Sequence, residues 1–172
     1  AGVKEVIFVI SKKKNVIKKY FVKNKSLENA IKNKPDILKK LICLNRISKR
    51  IKFVYQDKPR GLGHAVMCAK KYIKSKYFLL LLPDDIIKGK NCSKELIVIN
   101  KKNQSSVLAL KQVSKKEIKR YGIAGFSNKK KFRINKMIEK PSITNAPSRY
   151  AIIGRYLLSK LIFKFLKKQK RG

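Results

Sequence analysis

At 172 residues the chain is long enough for one domain with a real hydrophobic core and short for two. Its 46 basic and 9 acidic residues give a net charge of +37, which alone points to a polyanion such as nucleic acid or an acidic membrane surface. The lysines, however, are spread over every predicted element and arginine, the better reader of bases and phosphates, is scarce, so the charge reads as a compositional drift towards Lys, Ile and Asn. Three widely spaced cysteines, Cys43, Cys68 and Cys92, argue against a disulfide framework or a zinc site and fit a reducing cytosol. No apolar run reaches the length of a membrane span.

In chain order, residues 3–10 (VKEVIFVI) are apolar and β-branched, which suits a strand buried on both faces. Ser11 can cap the helical pattern of Val16, Ile17, Tyr20 and Phe21. A second helical patch follows at Leu27, Ala30 and Ile31, and Pro35 with Asp36 opens a third helix carrying Ile37, Leu38, Leu41 and Ile42. Residues 51–56 (IKFVYQ) predict a second strand. A glycine turn at Gly61 and Gly63 then leads into a helix with Ala65, Val66, Cys68, Ala69 and Tyr72. Residues 77–82 predict a third strand, a helix begins near Cys92 or Ser93, and residues 106–113 predict a fourth strand. This alternation predicts an α/β fold in which those four strands share one mostly parallel sheet flanked by helices. From Tyr121 the rhythm changes: 122–126, 132–139 and 150–158 read as strands with little helix between them, an α+β and more antiparallel second half, closed by a helix at 161–166.

Ligands of open α/β sheets bind beyond the carboxyl ends of the strands. Five features fall at strand ends or turns. Gln56 carries an amide donor and acceptor, suited to the edge of a pyrimidine. Gly61 and Gly63 let backbone approach a ligand, although two glycines are more often only a tight turn. Asp84, at the tip of a strongly apolar strand, is placed to hold Mg²⁺ together with substrate phosphates, while Asp85 reads as a cap for the next helix. Glu139 and Lys140, side by side, suit sugar hydroxyls and a phosphate. Gly122 allows close approach to a ligand. His64 is the one histidine; with no carboxylate or nucleophile near it in sequence, it reads as a structural hydrogen-bonding residue rather than a base. Gln56, Gly63, Asp84, Gly122, Glu139 and Lys140 are expected to line one concavity.

Taken together, QDKPRGLGHAVMCA, LLLLPDD, YGIAGF, MIEKP and PSRYAIIGRYLLS resemble the bacterial UTP–glucose-1-phosphate uridylyltransferases (UDP-glucose pyrophosphorylases), of the sugar nucleotidyltransferases, in order and spacing across essentially the whole chain. His64 within GLGHA favours this branch over the thymidylyltransferases, which usually carry GLAQA. The resemblance implies a Rossmann-like nucleotidyltransferase fold and a Mg²⁺-dependent reaction of UTP with glucose 1-phosphate that gives UDP-glucose and pyrophosphate. Galactose 1-phosphate remains open as a side substrate. By carry-over, Gln56, Gly61 and Gly63 hold uracil, Asp84 holds the metal, Gly122 and Glu139 hold glucose, Lys140 meets its phosphate, and Gly154 lies near the sugar; Asp84 and Lys140 would be the catalytic pair. The resemblance also implies a cytoplasmic protein, homo-oligomeric when full length, with no nucleic-acid or membrane partner. The family's first strand and GLGTR-type triphosphate loop would precede Ala1, and a second metal-binding aspartate would follow Gly172. The chain is therefore expected to be a single nucleotidyltransferase domain, 1–172, lacking both ends and binding substrate without turning it over. The rival readings are a basic nucleic-acid-binding module, against which no aromatic RNA-binding signature or helix-turn-helix is evident, and a degenerate structural paralogue.

Overall fold

The computed structural model describes residues 1–127 and 132–168; Lys170, Arg171 and Gly172, at the predicted cut end, lie outside the described residues. The chain divides into two compact units. One runs over residues 75–160; the other takes residues 2–74 together with the segment from Leu161.

In the latter unit, β1 (Val6–Ile10) and β2 (Ile51–Tyr55) pair in parallel, with Phe8 opposite Phe53. A 3-10 turn, Lys12–Lys14, follows Ser11, whose side chain makes no cap bond. The connection between the strands is mainly helical, with short turns between the helices. It comprises α1 (Asn15–Tyr20), α2 (Lys25–Ala30), whose N-cap Asn24 accepts from Leu27 N at 3.0 Å, and α3 (Pro35–Ser48), which begins on a proline with Asp36 in its first turn. Phe8, Phe21 and Phe53 form an aromatic cluster with centroids 5.4–6.2 Å apart. Helix α4 (Gly61–Ala69) packs on β1, β2 and α6 (Ile162–Lys168), burying Val66, Ala69 and Phe163.

The other unit is a five-stranded antiparallel sheet built around β7 (Tyr150–Ser159). Along one edge of β7 lies β4 (Val107–Gln112). Along the other lie β3 (Tyr77–Leu81) and then β5 (Gly122–Phe126), which continues to β6 (Ile134–Glu139). Strand positions follow the expected ones closely, but their partnership does not. Only β1 and β2 pair in parallel among the described residues; β3 and β4 each pair with β7 and run antiparallel to it. They point the same way, as a β–α–β connection through α5 (Cys92–Asn103) requires, yet the late strand β7 has inserted between them. An apolar run reports burial on two faces; it does not say which strand lies beside it.

Alternation along β7 gives its two faces different work. Ala151, Ile153 and Leu157 face a core closed by α5 and by the 3-10 turn Lys115–Arg120, with Leu96, Ala109, Val113, Ile118 and Ile123 packed there. Ile123 and Ala151 are wholly buried; a side chain the size of Ile123 gains roughly 1.5–3 kcal/mol from such burial. Ile152, Gly154 and Tyr156 take the opposite face, and it carries the polar residues described next. No helix among the described residues is long and apolar enough to cross a membrane.

Candidate functional site

The turn from β2 into α4 positions Gln56, Gly61, Gly63 and His64. Gln56 prolongs the parallel ladder, its N–H donating to Ile10 O at 2.9 Å, so its side chain leaves from the strand's carboxyl end. Gly61 has φ +78°, the left-handed region that L side chains avoid. This sets the peptide so that the Gly61 carbonyl receives the Gln56 amide N–H at 3.2 Å, while the same nitrogen sits 2.9 Å from His64 Nδ1. Gly63 lies half-buried in the first turn of α4. His64 is thus a hydrogen-bonding residue, as expected, and its partner is Gln56.

On the β7-centred sheet, Gly122 and Glu139 are direct register partners, and a Cβ at Gly122 would come within 3.0 Å of Glu139 Oε2 and 3.8 Å of Ile152 Cδ1. Glycine here leaves the space occupied by the carboxylate. The two line an open concavity of about 320 Å³ with Leu108, Met137, Ile138, Ile152 and Tyr156. Lys140 follows at the end of β6, exposed, in the left-handed region at φ +45°, its N–H held by Tyr121 O at 3.1 Å. A lysine kept in that conformation stores roughly 1 kcal/mol of strain, the kind found at functional positions.

Asp84 and Asp85 stand at the end of β3. The Asp84 side chain is exposed and, among the described residues, accepts no hydrogen bond and forms no ion pair. An open carboxylate of this kind fits a hard cation that needs only one or two protein oxygens and completes its shell with phosphate and water. No cluster of three or more metal-ligating side chains occurs among the described residues, so the fit is to that sparse mode and not to an all-protein cage.

Asp85 departs from expectation. It does not cap α5, whose N-cap is Asn91, accepting from Lys94 N at 3.0 Å. Asp85 Oδ2 instead accepts from Gly154 N at 2.6 Å, across to β7. The Arg155 guanidinium donates to the carbonyls of Leu82, Gly154 and Asp85. These bonds satisfy a turn that the sheet ladder no longer can, and hold the Asp84 segment to β7. Gly154 has a direct reason to be glycine: a Cβ would lie 2.6 Å from both Leu82 Cβ and Asp85 Oδ2.

Tyr156 escapes the sequence reading, because β7 reads as an apolar strand. Period two from Gly154 would have put it on the glycine's face. Burial, and after it the charges of Asp85, Glu139 and Asp84, push its phenol above the ordinary tyrosine value. The neutral phenol is favoured in the fold, so its contribution to stability is present below the ordinary value and lost as pH rises through the raised one. Resolved ring resonances should show Tyr156 ionising later than free tyrosine, with Glu139→Gln lowering the midpoint only partly because burial remains; an unmoved midpoint would remove Glu139 from its surroundings.

Of the expected single concavity, Gly122 and Glu139 are brought together, while Asp84 and Lys140 are not among its lining residues. Gln56 and Gly63 belong to the other unit. A larger hollow of about 530 Å³, lined by Lys19, Val22, Lys23, Asn24 and Lys25, contains none of the predicted site residues.

The family described as nucleotidyl transferase matches residues 1–172, and the chain belongs to it. Among curated relatives, the UTP–glucose-1-phosphate uridylyltransferase of Bacillus subtilis (strain 168) is 34% identical, the match covering 100% of this chain and 60% of the relative. UTP–glucose-1-phosphate uridylyltransferase 2 of Staphylococcus saprophyticus is 36% identical, with 100% and 61% covered. The chain thus spans about 60% of the length of these relatives. Among solved structures, an apo UDP-glucose pyrophosphorylase superposes with TM-score 0.86 at 28% identity over 98% of this chain and 64% of that one. The UTP-bound enzyme of Acinetobacter baumannii gives 0.86 at 30% identity, over 97% and 62%. The α/β nucleotidyltransferase fold expected from the motifs is therefore the fold of this chain.

Proposed function

We propose that the protein transfers the uridylyl group of UTP to glucose 1-phosphate. A phosphate oxygen of glucose 1-phosphate attacks the α-phosphorus of UTP in line, the bond to the bridging oxygen breaks, and pyrophosphate leaves with that electron pair. The attacking oxygen is already ionised, so orientation and charge neutralisation carry the rate and no general base is needed. Gln56, Gly61 and Gly63 read the uracil, Gly122 and Glu139 take the glucose hydroxyls, and Lys140 meets the sugar phosphate. Gly154 serves the site indirectly, by letting the Asp84 turn close onto β7. Mg²⁺, when bound, neutralises charge between the two phosphate-bearing substrates, and Asp84 is the residue we assign to hold it. We place the protein in the cytosol, in keeping with the free thiols of Cys43, Cys68 and Cys92, and expect a homo-oligomer, as the resemblance implies.

The observation that carries this reading is the register pair of Gly122 and Glu139, which sets a carboxylate over a gap left for it beside an open concavity. The names of the relatives, one of them seen with UTP bound, support the choice of substrates. Titration calorimetry with UDP-glucose and UDP tests it. UDP-glucose should bind more tightly than UDP. Glu139→Gln should remove roughly tenfold of that difference, the scale of a hydrogen bond to a charged group, and leave UDP alone unchanged. Equal affinities for the two ligands in the wild type would overturn the sugar assignment.

A further inference from the structure

We infer that His64 is a positioning residue that sets base specificity by fixing which end of the Gln56 amide meets the base. The inference rests on the reading of Gln56 as the base reader. The amide nitrogen and oxygen of a glutamine are close to interchangeable in shape, so orientation comes from the hydrogen-bond network. Here two neighbours contact one and the same amide atom: the Gly61 carbonyl at 3.2 Å and His64 Nδ1 at 2.9 Å. A carbonyl can only accept, so the atom facing Gly61 O must be the NH₂ group. His64 Nδ1 must then accept as well, and the ring proton lies on Nε2. Reversing the amide would press its oxygen against the Gly61 carbonyl. Reversal would therefore forfeit both bonds, and the shorter of the two, to His64 Nδ1, is the firmer hold.

Both N–H bonds of the Gln56 amide are therefore taken up inside the turn, and Oε1, an acceptor, is the end left for a ligand. An acceptor pairs with a base that carries a ring N–H beside a carbonyl, as uracil does at N3. Cytosine presents a bare ring nitrogen at N3, and two acceptors would face each other. Without His64 the amide keeps only the Gly61 bond, the longer of the two, and can turn its NH₂ outward to satisfy cytosine. Discrimination between the two pyrimidines is thus assigned to a residue that need not touch the base.

Two measurements test this. In the ligand-free protein, ¹⁵N chemical shifts of the His64 ring should report a proton on Nε2 and none on Nδ1; a proton on Nδ1 would overturn the inference while leaving Gln56 as a base reader. The second is binding of UTP and CTP to the wild type, His64→Leu and His64→Asn. Leucine removes the acceptor, whereas an asparagine oxygen can restore it near the position of Nδ1. The UTP-to-CTP preference should fall by roughly tenfold or more in His64→Leu, the scale of one unmatched hydrogen-bonding group. Much of that change should come as a gain in CTP binding, and His64→Asn should retain the preference. A merely structural histidine would weaken both nucleotides together with the ratio unchanged, and that result would overturn the inference. A wild type with no preference for UTP over CTP would instead overturn the reading of Gln56 itself.

Discussion

Gly154→Ala should destabilise the β7-centred unit by about 3 kcal/mol, the sum expected for overpacking a rigid contact and losing a hydrogen bond to a charged group. The added methyl would stand 2.6 Å from Leu82 Cβ and 2.9 Å from Leu82 Cγ. Asp85 can swing its carboxylate aside, but Leu82 Cβ is fixed to a backbone whose N–H donates to Gly154 O at 2.9 Å. Relief requires the end of β3 to part from β7. That movement breaks the Gly154 N–Asp85 bond and unseats the carbonyls gathered by Arg155. Urea denaturation of the variant should give a lower midpoint with an unchanged slope. Combining it with Asp85→Ala should bring no rescue, because the steric contact lies with Leu82. A midpoint equal to that of the wild type would mean that the close approach is absent in solution.

Asp84→Asn should lower the affinity for Mg²⁺ in the presence of UTP by roughly 100-fold or more, and Asp85→Asn by roughly 10-fold. A residue that orients a metal ligand is typically worth 10- to 100-fold in metal affinity, so direct loss of the ligand should exceed that range. The two aspartates differ in what their oxygens already do. Asp84 is exposed, with no hydrogen bond or ion pair among the described residues, whereas Asp85 spends Oδ2 on Gly154 N. Sequence alone suggests that Asp85→Asn is nearly silent, since a helix cap on the surface is replaceable. The bond to β7 changes that expectation: an amide in place of the Asp85 carboxylate would keep the shape and lose the charge that makes a strong acceptor for a backbone N–H. Competition between Mn²⁺ and Mg²⁺, followed by water-proton relaxation with UTP present, measures both variants. Equal losses, or a larger loss for Asp85→Asn, would move the metal to the second aspartate.

Much of the fold is legible in the residues themselves, and what is not has a physical reason. The strands at 51–55, 77–81 and 122–126 declare themselves through β-branched and apolar runs, and α3 announces its start with Pro35 and Asp36. These signals are local. The partnership of β3 and β4 with β7 is not local, and nothing in YFLLL or VLALKQ names YAIIGRYLLS as neighbour. The role of Asp85 is hidden for the same reason, since its partner, Gly154, is 69 residues away. The hydrogen bond between Gln56 and His64 spans only eight residues, yet sequence can suggest only that His64 bonds to something. The choice of partner depends on how Gly61 turns the chain. Glu139 and Gly122 are legible only as a strand end and a glycine beside a turn; that they are register partners is not, because pairing is set by the fold.

The central place of β7 bears on how the chain folds. Among the described residues, β3 and β4 find strand partners only in β7, and β5 reaches the rest of the sheet through it. Tyr77 pairs with Ser159 and Val107 with Leu157, so the loops closed by these pairings are long and their entropy is lost before the contacts are made. A ribosome that has released residues 77–112 has produced two apolar strands with nothing to pair with. They must wait, edges open, until the last strand of the sheet emerges some 40 residues later, a gap read from Gln112 to Tyr150. Over that interval the surface of YFLLL is the hazard, and the lysines that surround it, Lys71, Lys74, Lys76, Lys88 and Lys90, supply like charge that holds nascent copies apart.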